Sequence, residues 1–231
     1  MQEHMLSSFD AQLNAIAGDL AEMGHMARKL TADAVDALTA SDVDKARTII
    51  AADRAIDEMQ QIIEQKAVLA IAKNQPMAID LRVLVAAMRV ANDLERIGDL
   101  AKNIAKRTIA IDEPLRSQKL MTGFGQLSKL VIAQIDDVLA AYAASDAALA
   151  AHVREKDSDV DAIHTSVFRE LLTYMLEDNR NIAMCTHLLF CAKNIERIGD
   201  HVTNIAETLH YVLTGQMLDD DRPKADASSD A

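Results

Sequence analysis

The chain has 231 residues, with 24 Lys and Arg against 36 Asp and Glu, a formal charge of −12 and a pI near 4.9. Such a balance argues against nucleic acid and anionic lipid as partners and suits cations or a basic protein surface, unless it only keeps a helical protein soluble. Half of the residues are apolar but only 3% are aromatic, with seven Gly and three Pro; this favours helices over sheets, and no window of about 18 uncharged apolar residues exists to insert into a membrane.

The start, Met1-Gln2-Glu3-His4, is acidic and lacks an apolar stretch, so it does not read as a secretory signal. Residues from about 5 to 40 are predicted as an amphipathic helix, because Leu6, Phe9, Leu13, Ile16, Leu20, Met23 and Leu30 recur at three- and four-residue steps. Ser41 reads as the N-cap of a second helix, with Asp42 and Asp44 in its first turn. That helix runs to about 73, where Asn74-Gln75-Pro76 stops it. A third helix spans about 77–108, and a linker follows at 109–114.

The plan then repeats. A fourth helix covers about 116–144, with Gly123-Phe124-Gly125 near its start for no reason visible in the sequence. Ser145-Asp146 matches Ser41-Asp42 at an offset of 104 and opens a fifth helix running to about 177. Asp178-Asn179-Arg180-Asn181 makes a turn, a sixth helix spans about 181–213, and Gly215 ends it. Cys185 and Cys191 lie about 120° apart around that helix, so they should not bridge each other, which fits a cytoplasmic location. The expected fold is all-α: two tandem three-helix bundles of six long helices, over residues 1–110 and 111–215, followed by an acidic tail at 216–231 expected to be disordered.

The repeat is sharpest in Glu95-Arg96-Ile97-Gly98-Asp99, which recurs letter for letter as Glu196-Arg197-Ile198-Gly199-Asp200. Nine of fifteen positions are identical between 91–105 and 192–206, including Asn103 with Asn204. On the third helix Leu81, Leu84, Val85, Met88, Asn92, Glu95, Asp99 and Asn103 fall in one stripe about 100° wide, so the acids prolong an apolar seam. On the second helix Asp53 and Asp57 lie on such a stripe, and Asp157 and Asp161 repeat them in the fifth. His164, on the same line, corresponds to Gln60 and is expected to pack or to hydrogen-bond. Facing acid pairs in a partly dry groove are costly unless they stay protonated or find positive charge. Arg96 and Arg197 could fold across to supply it, or a hard or borderline cation such as Mg, Mn, Fe or Zn could. Gly98 and Gly199 each cost about 1 kcal/mol in a helix relative to Ala, so something should approach the backbone there.

With these motifs the chain resembles the PhoU family, accessory regulators of the high-affinity phosphate ABC transport system, from about residue 5 to 213. The resemblance implies a cytoplasmic protein able to form a homodimer, with multinuclear Fe or Zn clusters on its acidic motifs. Matched by motif, the ligands would be Asp53, Asp57, Glu95 and Asp99 in one unit and Asp157, Asp161, Glu196 and Asp200 in the other, with Asn103 and Asn204 as additions. It further implies a negative regulator, not an enzyme, that contacts the ATPase side of the transporter and a phosphate-sensing histidine kinase. Two rivals remain. One is a metal-free helical adaptor with salt-bridged acidic seams. The other is a ferritin-like di-iron protein, which Glu22-x2-His25 and Glu207-x2-His210 suggest but which their lack of repeat equivalence disfavours.

Overall fold

Long three- and four-residue apolar periodicities produce long helices here. The computed structural model describes residues 2–111 and 118–218: α1 (Gln2–Ala40), α2 (Val43–Asn74), α3 (Ile79–Ala110), α4 (Gln118–Ala144), α5 (Ala147–Glu155), α6 (Asp157–Glu177) and α7 (Ile182–Thr214), with one 3-10 turn at Asn179–Asn181. Among the described residues there is no strand, and no helix is long and apolar enough to cross a membrane. Residues 112–114 of the linker and the tail from residue 219 lie outside the described residues, and α3 itself runs through positions 109 and 110.

Three details depart from expectation. The caps are Asp42 and Asp146, whose carboxylates accept from the N–H of Lys45 and from those of Ala148 and Leu149. Ser41 and Ser145 instead take positive φ, 53° and 51°. They act as the left-handed residue that closes α1 and α4, with the next N–H reaching back to Ala37 and Ala141. The expected fifth helix is broken at Lys156 into α5 and α6. The break makes Asp157 and Asp159 first-turn residues of a new helix, where the dipole favours acids. Counted with that kink as one helix, the six-helix plan holds.

The units share one core. Ile16, Leu20 and Met23 of α1, Ile56 and Ile63 of α2 and Leu84, Leu94 and Ile97 of α3 are buried on one side; Leu120, Phe124 and Leu127 of α4 and Leu188, Ile195 and Ile198 of α7 are buried on the other. Each such side chain contributes about 1.5–3 kcal/mol. Helix α3 packs on α7 and α1 on α4. Polar contacts pin these seams: Arg28 to Asp136 at 2.5 and 2.8 Å, His201 Nδ1 to Asp93 at 2.9 Å, and the Arg107 guanidinium 4.0 Å from the Phe190 ring centre. The Gly123 puzzle resolves in packing, since a Cβ there would stand 2.9 Å from Val167 Cγ2 of α6.

Candidate functional site

Each doubled motif sits where α3 or α7 crosses the helix that bears the Asp pair of its own unit. In the first unit Asp53 is 3% exposed, Asp57, Glu95 and Asp99 are half-buried, and Asn92 and Asn103 are exposed. The buried line of α3 runs through Leu84, Ala87, Ala91, Leu94, Gly98, Ala101 and Ala105. The acids therefore flank the seam instead of continuing its centre, with Asp53 reaching deepest.

Gly98 explains how Asp53 fits. A Cβ on Gly98 would meet Ile56 Cδ1 at 3.0 Å and Asp53 Oδ1 at 3.3 Å. In the second unit a Cβ on Gly199 would meet Gln134 Oε1 at 3.2 Å, Val160 Cγ1 at 3.6 Å and Asp157 Oδ1 at 3.7 Å. The close approach expected at both glycines comes from the neighbouring helices' side chains.

The charges are arranged differently in the two copies. In the first, Lys102 Nζ lies 2.5 Å from Asp53 Oδ2 and 2.5 Å from Asp99 Oδ1, bridging α2 and α3. Arg96 folds across as expected, with Nε 3.3 Å from Glu95 Oε2 and Nη1 3.6 Å from Asp99 Oδ2. Burial pushes the Glu95 and Asp57 carboxyls above their ordinary range. The Asp99 charge adds to this at Glu95 against the pull of Arg96; the Asp53 charge adds to it at Asp57 against the pull of Lys102. Burial opposes the charge on Lys102, but its two carboxylate partners win and hold its ammonium well above the usual lysine range.

In the second copy the residue equivalent to Lys102 is Thr203, fully buried, whose hydroxyl donates to Asp157 Oδ1 at 3.4 Å. Lys193 Nζ takes Glu196 Oε1 at 2.7 Å. Glu196 Oε2 is buried without a hydrogen-bond partner, as are both amide atoms of Gln134, which is 1% exposed. Burial raises the Glu196 carboxyl, Lys193 pulls it down, and the Asp200 and Asp157 charges push it up again. Asp157, Asp161 and Asp200 are half-buried, as is Asn204, which also lines a cleft with Arg89 and Asp93.

So the structure brings Asp53, Asp57, Glu95 and Asp99 into one electrostatic field, and Asp157, Glu196 and Asp200 into another. Among the described residues no three His, Cys, Asp or Glu side chains converge closely enough to hold a metal ion as they stand. Lys102, Thr203 and Gln134 escaped the sequence reading. Lys102 was findable, being three residues beyond Asp99 on the same helix face; a lone Gln in an apolar helix gives no such signal.

Comparison with known proteins follows the repeat. The PhoU domain model matches residues 20–108 and 124–209. The chain is 50% identical over 226 residues to the phosphate-specific transport system accessory protein PhoU homolog of Rhizobium meliloti (strain 1021), covering 98% of this chain and 95% of that one. It is 36% identical over 216 residues to the phosphate-specific transport system accessory protein PhoU of Escherichia coli (strain K12), covering 94% and 89%. The crystal structure of PhoU from Pseudomonas aeruginosa is similar with a TM-score of 0.86 at 35% identity, covering 90% of this chain and 100% of that one. The chain belongs to the PhoU family.

Proposed function

We propose that this chain is a regulatory accessory protein of phosphate homeostasis that restrains high-affinity phosphate uptake and the phosphate-starvation response. When phosphate is plentiful it contacts the cytoplasmic ATPase side of the phosphate ABC transporter and holds a phosphate-sensing histidine kinase in its non-activating state. The observation that carries this reading is the likeness, over nearly the whole length of both chains, to accessory proteins of phosphate-specific transport systems. The family is regulatory and accessory, not catalytic.

Action by protein contact suits the surface. Met77 and Ile79 beside the α2–α3 turn are 82% and 65% exposed, and Leu176 and Ile182 beside the α6–α7 turn are 86% and 46% exposed. Corresponding ends of both units thus offer apolar side chains to partners or to a second copy in a homodimer.

The acidic motifs are proposed to take divalent or trivalent metal, Fe or Zn first and Mg or Mn next, with carboxylate and amide oxygens as ligands. Asp157, Asp161, Glu196, Asp200 and Asn204 would hold it in the second unit, and Asp53, Asp57, Glu95, Asp99 and Asn103 form the corresponding set in the first. Bound metal would add positive charge among these acids. The salt-bridged, metal-free reading keeps specific observations in its favour: the Lys102 bridge and the Arg96 contacts in the first unit, and Lys193 on Glu196 in the second.

Deleting the gene and following a phosphate-responsive reporter tests the regulatory role: expression should escape repression at high phosphate, and unchanged expression would refute it. Co-purification from cells grown in high phosphate should recover the transporter ATPase and the kinase.

A further inference from the structure

We propose that Lys102 stands in the first unit where a metal would stand, so that cation binding by this protein is confined to the second unit, with Gln134 as a neutral oxygen ligand beside Asp157 and Glu196. The confinement to the second unit rests on the metal reading above; the role of Lys102 does not.

Oxygen ligands sit about 2.0–2.6 Å from the hard and borderline cations these acids suit. Lys102 Nζ lies 2.5 Å from one oxygen of Asp53 and 2.5 Å from one of Asp99, on two different helices. The ammonium thus holds the point between the helices that a bridging ion would need. A dication cannot share that point with a charged lysine, since like charges a few ångströms apart repel strongly in a partly buried site. The Lys102 side chain is 20% exposed and that of Asp53 is 4% exposed, so the pair is largely shielded from solvent.

The two copies differ by a matched pair of exchanges. At the offset of 101 that superposes the doubled motif, Lys102 becomes Thr203, too short and uncharged to bridge two carboxylates. At the offset of 104 that superposes α1 on α4, Leu30 becomes Gln134. Leu30 is buried in the core cluster. Gln134 is equally buried, yet neither its amide oxygen nor its nitrogen has a hydrogen-bond partner. Leaving a buried amide unpartnered is costly, so Gln134 in this apolar helix calls for a partner, which a bound cation would provide at its oxygen. Its Oε1 packs over Gly199 together with Asp157 Oδ1, and Glu196 Oε2 is a second buried oxygen without a partner. Each copy has a buried carboxylate oxygen without a partner, Asp53 Oδ1 in the first and Glu196 Oε2 in the second. The first adds a lysine that bridges two helices; the second has Thr203 in its place, a 51%-exposed Lys193 that meets Glu196 from the same helix, and the unpartnered amide of Gln134.

The test uses the full chain, stripped with chelator and reloaded with Zn²⁺, then passed through a desalting column. Bound metal per chain is counted, and melting temperature is followed with and without Zn²⁺. Wild type should retain Zn²⁺, and Asp157→Asn with Glu196→Gln, or Gln134→Leu, should lose most of it while keeping its helical circular dichroism. Lys102→Thr, which copies the second unit, should roughly double the bound Zn²⁺ and acquire a larger Zn²⁺-dependent rise in melting temperature. Adding Asp53→Asn to Lys102→Thr should abolish that gain. Lys102→Met serves if Lys102→Thr folds poorly without metal. A wild type that binds no Zn²⁺ while Lys102→Thr binds it through Asp53 refutes the metal reading of the second unit and supports the role of Lys102. A Lys102 variant that gains no metal, or wild-type loading that survives loss of Asp157, Glu196 and Gln134, overturns the inference.

Discussion

Removing the Lys102 charge should destabilise the metal-free protein through Asp53. In Lys102→Met the stem can still pack, but the ammonium that serves Asp53 and Asp99 is gone. Breaking a fully buried ion pair from one side costs roughly 3–5 kcal/mol, and breaking an exposed one costs about 0–1 kcal/mol. The side chain of Asp53 is 4% exposed, but those of Lys102 and Asp99 are 20% and 30% exposed. An intermediate cost of about 2–3 kcal/mol follows, most of it for leaving the Asp53 carboxylate uncompensated. For a chain of this size that is a fall of roughly 4–12 °C in melting temperature. Asp53→Asn in the same background should recover a large part of it, so the pair of substitutions should be non-additive by about 1–3 kcal/mol. Because Lys102 is raised in the folded state, its contribution is complete below the ordinary lysine range, about 10.4, and is lost only above it. The cost should therefore be flat from pH 6 to 9. Thermal and urea melts of the four chelator-treated proteins measure all of this. A Lys102→Met protein that melts with wild type, or additive effects of the two substitutions, would refute the reasoning.

Glu196→Gln in chelator-treated protein should be stabilising at pH 7, and less so at pH 4. The folded Glu196 carboxyl is raised, so its favourable contribution exists below the unfolded value and is lost as pH rises through the folded one; a gain that grows on acidification would contradict this. Gly123→Ala and Gly125→Ala should act in opposite directions although two residues apart. The new methyl at 123 would press on Val167 at 2.9 Å, costing about 1–3 kcal/mol against a helix gain of about 1 kcal/mol, while nothing lies within 4 Å at 125. Phe124→Ala, between them, removes a fully buried ring and should cost about 3–5 kcal/mol in a urea melt. Cys185 and Cys191 are buried, and burial pushes the Cys191 thiol up to about 12; neither should react with a thiol-specific reagent at pH 8 until denaturant is added, and prompt labelling of native protein would show the core to be open.

The helices were legible because their apolar periodicity runs through about eight to eleven turns, long enough to absorb a one-residue error in any position. Ser is a good cap by propensity, so the sequence points to Ser41, one residue before the true cap Asp42, while the αL closure of α1 and α4 depends on a backbone bond to Ala37 or Ala141 that no side chain announces. The stripe drawn through Asn92, Glu95, Asp99 and Asn103 was likewise rotated from the true buried line through Leu94, Gly98, Ala101 and Ala105. Helix α3 is buried through small residues, and a hydrophobicity argument gives Ala and Gly too little weight to find that face.

The site was half legible for a related reason. Identity between the copies located it: Glu95 with Glu196, Asp99 with Asp200, and the glycine that leaves room for the facing Asp. Identity does not say all that balances those acids: Arg96, shared with Arg197, meets Glu95 and Asp99, but Lys102 and Lys193 are not repeated in the other copy. Lys102 against Thr203, and Leu30 against Gln134, change the charge and the buried polarity of the two sites. Each exchange is unremarkable alone: a lysine on a helix flank is usually solvated, and a buried glutamine usually finds a partner. Together they oppose one another across a shared frame: the first puts a lysine of the chain between the acids, and the second leaves a buried amide without a partner beside them. In a duplicated fold the conserved positions report where the chemistry sits, and the diverged positions packed against them report which chemistry each copy kept.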